Sequence, residues 1–203
     1  MAATSGSSES SGKDGLVHET PWARVRALVA EYYDEVVERA SREALEEPPN
    51  ALLLFLAGRR TAVNAKLERI ADTLLGSYAW RIFACFFEAV EPVAKPFDFR
   101  GLLRGRPYTV KAVSGERAFN TATRARVEDA SLSLENPVVL TLQGPYFEAR
   151  EVGRALWLSA PASLRLLAGP GGYKRFLAVA REEAKARRAL VVERVLRAVA
   201  DAQ

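Results

Sequence analysis

Three residues in this chain have the types and spacing that phosphoryl chemistry uses: Glu68, Asp98 and Lys111. Asp98 lies in the stretch KPFDF and Lys111 in PYTVKAV, with the turn-like RGLLRGRP between them. Read as two strands of a hairpin, these stretches set an acid and a lysine on neighbouring strands, where side chains two residues apart share a face. Hydrolysis of a phosphodiester with Mg²⁺ needs hard oxygen ligands for the metal. The metal lowers the pKa of a bound water and offsets charge developing on the phosphate. On this reading Asp98 holds the metal and Lys111 orients the attacking water, while Glu68, at the border of an apolar helix face, reads equally as a solvated edge residue or as a further ligand. Two residues before Lys111 stands Thr109, a poor magnesium ligand where an acid would be useful. A lysine inside an otherwise apolar strand also requires water or an anion beside it.

The rest of the composition narrows the chemistry further. The one histidine, His18, lies in the Ser/Gly-rich stretch MAATSGSSESSGKDGLVHET, which excludes a Ser/His/Asp triad, a Cys/His pair and most zinc sites. The one cysteine, Cys85, stands among aromatics and reads as a buried apolar residue; with no disulfide to form, the chain is expected to be cytoplasmic. The net charge is +4, and the first 20 residues carry Lys13 against Glu9, Asp14 and Glu19, leaving +6 on the body, a bias that suits a polyanion. The stretch from Tyr78 to Val90 is broken by Arg81 and Glu88, so no transmembrane helix is expected. Few Cys, Met, Gln and Asn beside abundant Arg suit a heat-adapted source or GC-rich coding.

The elements that must position the three residues can be read from periodicity and punctuation. Residues 1–20 read as a disordered tail and residues 21–203 as one domain: a helical segment over 21–58, a core over 59–158 and C-terminal helices over 159–203. Thr20-Pro21 opens a helix whose apolar positions run from Trp22 to Val37. Asn50 caps the short helix ALLLFLA. TAVNAKLERIADTLLG is a helix carrying Glu68 beside its apolar face and ending at Gly76. YAWRIFACFFEAV leans to a strand, followed by the hairpin, the helix ERAFNTATRARVEDASLSL, and the strands NPVVLTLQG and GRALWLS. Ser159 caps APASLRLLAG, GPGG links, and a long helix runs from Tyr173 to about Ala202. The fold class that follows is α/β, a central mixed sheet flanked by helices.

Several residues could contact nucleic acid. Ser114, Gly115 and Asn120 follow the second hairpin strand, where a tight turn and small polar groups can approach a phosphate backbone or simply cap a helix. Arg100, Arg104 and Arg106 on the hairpin, with Arg117, Arg124 and Arg126 beyond it, can meet phosphates, and Gln143 ends a strand where it could touch a ligand.

NAKLERIADTLLG resembles the L-E-x-I-A helix of restriction-endonuclease-like nucleases, the PD-(D/E)XK group, and VSGERAFN resembles the K-S-G-P-x-x-x-N segment of PmeII-like type II restriction endonucleases. LWLSAPASLRLLAGPGGYKRFLAVAREEAKA is similar to that family's C-terminal pattern, so the resemblance spans roughly residues 50–186. It implies a restriction-endonuclease-like core, an aspartate on one hairpin strand with acid-x-lysine on the next, and a glutamate from a preceding helix. It also implies Mg²⁺, double-stranded DNA as substrate, and a homodimer that addresses both strands. Aligning on Ser114-Gly115 puts Lys111 at the acid position and Val113 at the lysine position; shifting the strand by two residues gives Lys111 the lysine role. The function that follows is a Mg²⁺-dependent type II site-specific deoxyribonuclease. The alternative is a nuclease-fold protein that binds DNA or serves a structural role without catalysis.

Overall fold

The computed structural model describes residues 19–46, 61–144 and 147–201. Residues 1–18 of the tail expected over 1–20, and the expected helix ALLLFLA, lie outside the described residues. Among the described residues, helices α1 (Pro21–Glu46) and α2 (Thr61–Ala84) come first, then strands β1 (Glu88–Pro92), β2 (Phe99–Leu103) and β3 (Arg106–Val113). A 3-10 turn (Glu116–Ala118) leads into α3 (Thr121–Ser131), followed by β4 (Pro137–Thr141), β5 (Ala149–Val152), β6 (Ala155–Leu158), α4 (Ala160–Ala168) and α5 (Gly172–Asp201). The strands form one mixed sheet in the order β1-β2-β3-β4-β6-β5. β1, β2 and β3 run antiparallel; β3, β4 and β6 run parallel; β5 returns antiparallel to β6. The architecture is α/β with helices flanking the sheet.

The two faces of the sheet carry separate cores. On one, α2 and the α4–α5 pair cover Phe99, Val110, Val138 and Leu140, with α1 joining through Val25 and Val29. On the other, α3 closes a smaller cluster of Phe97, Val113, Phe119, Val127, Val139 and Trp157. β4 is buried along its whole length because both faces are covered, so its sequence, PVVLT, shows no polar alternation.

Three sequence expectations are corrected. Gly76 does not end its helix: α2 continues to Ala84, because Leu74, Leu75, Tyr78, Ala79, Ile82 and Phe83 keep a helical period and all are buried. That burial outweighs the roughly 1 kcal/mol that a mid-helix glycine costs. The segment 78–90 is accordingly helix through Ala84, and the strand begins only at Glu88. The hairpin turn is not RGLLRGRP but the two residues Arg104-Gly105, both at positive φ (52° and 75°), the mirror-image geometry that matches strand twist.

The helical layer makes one pH-dependent prediction. The buried Tyr78 hydroxyl donates to Glu35 at 3.0 Å and to Glu31 at 3.1 Å, and it stands beside Tyr32, ring to ring at 5.5 Å. Burial first, and then the two carboxylates, push its pKa up to about 12. The folded value lies above the ordinary value of about 10, so the associated stability is complete below that pH and is lost as pH rises toward the folded value. Alkaline titration followed by circular dichroism should show helix loss in that window, moved to higher pH by Tyr78→Phe. An unchanged alkaline midpoint in the variant would refute this account.

Candidate active site

The hairpin sets Asp98 against Lys111. Phe99 pairs with Val110, so the next residues outward, Asp98 and Lys111, stand opposite each other at the open end of β2–β3. Asp98 N–H still donates to the Val110 carbonyl at 2.8 Å, but β2 ends there and leaves the Ala112 N–H without a strand partner. Asp98 Oδ2 accepts that N–H at 2.8 Å. Its position is therefore fixed by the backbone that it caps.

The same carboxylate accepts from Lys111 Nζ at 3.1 Å and from Lys95 Nζ at 2.9 Å. The side chains of Asp98 and Lys111 are 10% and 15% exposed, whereas Lys95 is 81% exposed, so the inner pair is shielded from solvent screening and the outer one is not. The three charges sum to one positive, at a strand end where the inner pair is largely covered and Lys95 is open to solvent. Such a point attracts an anion.

The neighbours of Lys111 on its own face take no part. Thr109 is 1% exposed, and its hydroxyl donates to the Glu135 carbonyl at 3.3 Å. Val113 is buried with Phe97, Phe119 and Trp157. Along that face only Lys111 carries charge. Glu68 lies in α2, which packs on the opposite face through Ile70 and Leu74, and its side chain lies outside the described residues. Among the described residues no group of three His, Cys, Asp or Glu gathers that could hold a metal ion. Asp98 supplies one carboxylate whose partners are two ammonium groups and an N–H, so the described residues do not by themselves make a magnesium shell.

The expected nucleic-acid residues divide between the two ends of the hairpin. Ser114, Arg117 and Asn120 follow directly from the Lys111 end: the Ser114 carbonyl accepts from Gln143 N–H at 2.8 Å, Arg117 is exposed, and Asn120 caps α3 by accepting from Thr123 N–H at 3.0 Å. Arg100 is exposed opposite Thr109. Arg104 and Arg106 sit at the closed end, about 17 Å or more along the strand from Lys111.

One residue of the site went unremarked in the sequence, and one expected to meet phosphates is occupied elsewhere. Lys95 joins Asp98, and its signal is the cation three residues ahead of the acid in KPFD. Arg124 lies 4.4 Å from the Trp157 ring centroid and donates to the Phe119 carbonyl at 2.9 Å, so it is bound to the α3 core.

Comparison with protein-family models, with curated proteins and with solved structures found no match. No helix among the described residues is long and apolar enough to cross a membrane.

Proposed function

We propose that the chain is a restriction-endonuclease-like protein that cuts the phosphodiester backbone of double-stranded DNA as a Mg²⁺-dependent type II enzyme, working as a homodimer. One observation carries this reading: Asp98 and Lys111, 13 residues apart, meet at 3.1 Å at the open end of a hairpin flanked by helices. The resemblance assigns an acid and a lysine to that place. Asp98 holds the Lys111 ammonium, and an ammonium so held can donate to a phosphate oxygen and offset charge as the phosphoryl group is attacked. Ser114, Arg117 and Asn120, just beyond β3, are the groups of this chain nearest in sequence to a backbone seated there, and Arg100 flanks it. When bound, Mg²⁺ supplies an activated water and a Lewis acid. Holding it would require a second carboxylate beside Asp98; the resemblance gives that role to Glu68, whose helix packs on the other face of the sheet.

A second reading has its own observation. Each described polar contact of the Asp98 carboxylate is a cation or an N–H, and the opposing strand offers Lys111 where a second acid would stand. A site built this way can bind a DNA phosphate without cutting. Incubating duplex DNA with the protein and Mg²⁺, at moderate and at high temperature, separates the two. Discrete fragments support the enzyme; a stable complex with intact DNA in both Mg²⁺ and Mn²⁺ supports the binder; neither result sinks both.

A further inference from the structure

Away from the Asp98–Lys111 pair, a groove of about 560 Å³ opens beside the closed end of the β2–β3 hairpin. Its charged lining consists of Arg104, Arg154 and Arg165 against a single acid, Glu148. Arg165 is neutralised by an ion pair with Glu148. Arg104 and Arg154 are held differently: Arg104 Nη2 donates to the Leu167 carbonyl at 3.3 Å, and Arg154 Nη1 to the Leu132 carbonyl at 2.9 Å. A carbonyl orients a guanidinium without cancelling its charge. Among the described residues neither arginine has a carboxylate in ion-pair range.

Two oriented guanidiniums with N–H groups to spare, lining one concavity, are suited to a phosphate, whose oxygens accept from both. The apolar lining includes the half-buried Tyr108 and Leu156, which is 43% exposed although it belongs to an inner strand of the sheet. An open leucine and a tyrosine ring beside two phosphate-binding cations fit a ligand that is flat at one end and anionic at the other. The volume falls within the range of about 300–1,000 Å³ typical of small-molecule sites.

We propose that this groove binds a nucleotide unit, with its phosphate on Arg104 and Arg154 and its base against Tyr108 and Leu156. The phosphate end of the groove, at Arg104, lies about 20 Å along the hairpin from Asp98, and Tyr108 faces the opposite side of β3 from Lys111, so the groove's occupancy does not depend on whether DNA is cut.

Titration calorimetry of the full chain without divalent metal tests this, using dAMP, deoxyadenosine and inorganic phosphate as separate probes. dAMP should bind at one site, at least about tenfold more tightly than either fragment, and Arg104→Gln with Arg154→Gln should weaken it by about 10- to 100-fold. Leu156→Glu, at an exposed position that tolerates charge, should weaken dAMP comparably by replacing the apolar surface under the base with a carboxylate that also repels the nearby phosphate, while Asp98→Asn should leave its affinity unchanged. Competition by a duplex with a single unpaired terminal nucleotide, but not by a blunt duplex, would identify the unit as part of a DNA strand. Displacement by neither duplex would identify it as a free nucleotide. Absence of dAMP binding, phosphate binding as tightly as dAMP, equal displacement by a blunt duplex, or full affinity in both the double-arginine and Leu156→Glu variants would overturn the assignment.

Discussion

Asp98→Ala is expected to reduce cleavage of duplex DNA by about 10²- to 10³-fold or more, the scale on which removal of one preorganised electrostatic group acts. The carboxylate does two things at once. It fixes the Lys111 ammonium at 3.1 Å, and it occupies the Ala112 N–H that β2 leaves open. Without it, a largely buried ammonium loses its counter-charge and the end of β3 loses an acceptor, so stability falls together with activity. Asp98→Asn separates these effects, because an amide oxygen still accepts from Ala112 N–H while the charge is gone. It should retain more of the fold and still lose the cleavage. Lys111→Ala should show a comparable loss of cleavage. Fragments formed at the wild-type rate by folded Asp98→Asn would remove this site from the reaction and leave the hairpin a structural role.

Trp157→Ala should cost about 3–5 kcal/mol of stability, the range for truncating a large buried aromatic. Trp157 is 1% exposed at the centre of the α3-side cluster. Its ring meets Phe119 edge-on at 4.8 Å and Phe147 at 4.6 Å, and Arg124 lies across it. Its indole N–H donates to Thr141 Oγ1 at 2.9 Å within buried surroundings. Alanine leaves a cavity, a polar oxygen without its donor, and a guanidinium without its platform. Domains of this size are stabilised by only about 5–15 kcal/mol, so a large fraction of the total is at stake. Urea unfolding followed by circular dichroism measures it, and Trp157→Phe should recover most of the packing but not the hydrogen bond. A loss below about 1 kcal/mol for Trp157→Ala would mean that the second core contributes little.

What could be read in the sequence, and what could not, follows from how each residue is buried. That Asp98 and Lys111 lie on neighbouring strands was accessible because two apolar stretches around a basic turn define a hairpin; that they stand directly opposite each other was not, because register depends on where the turn falls. The turn itself was misplaced because Gly101 reads as a breaker. It is a strand residue pressed against β1's approach, where an added Cβ would lie 3.0 Å from the Phe87 Cβ, so glycine there answers a lack of space. The length of α2 was hidden for a related reason: Gly76 sits on its exposed side, and only burial of the residues around it shows that the helix continues. β5 gave no signal, since Ala149, Arg150 and Glu151 are exposed and show no alternation. The commitment of Thr109 to the Glu135 carbonyl was likewise out of reach, because it depends on a loop 26 residues away.

The borders of the sheet decide what else this molecule can join. On one side β1 presents Glu88, Glu91 and Pro92, all exposed, with a break in its pairing between the two glutamates and Ala89 at a φ of 49°. On the other, β5 is only four residues long and exposes Arg150 and Glu151. An added strand needs a flat, continuous row of free N–H and carbonyl groups, and neither border offers one: the first is kinked, acidic and lacks the proline N–H, and the second is short and charged. The sheet is therefore a dead end for strand addition. Among the described residues, association of two copies is left to helices and loops, and neither edge of this sheet favours ribbon-like stacking.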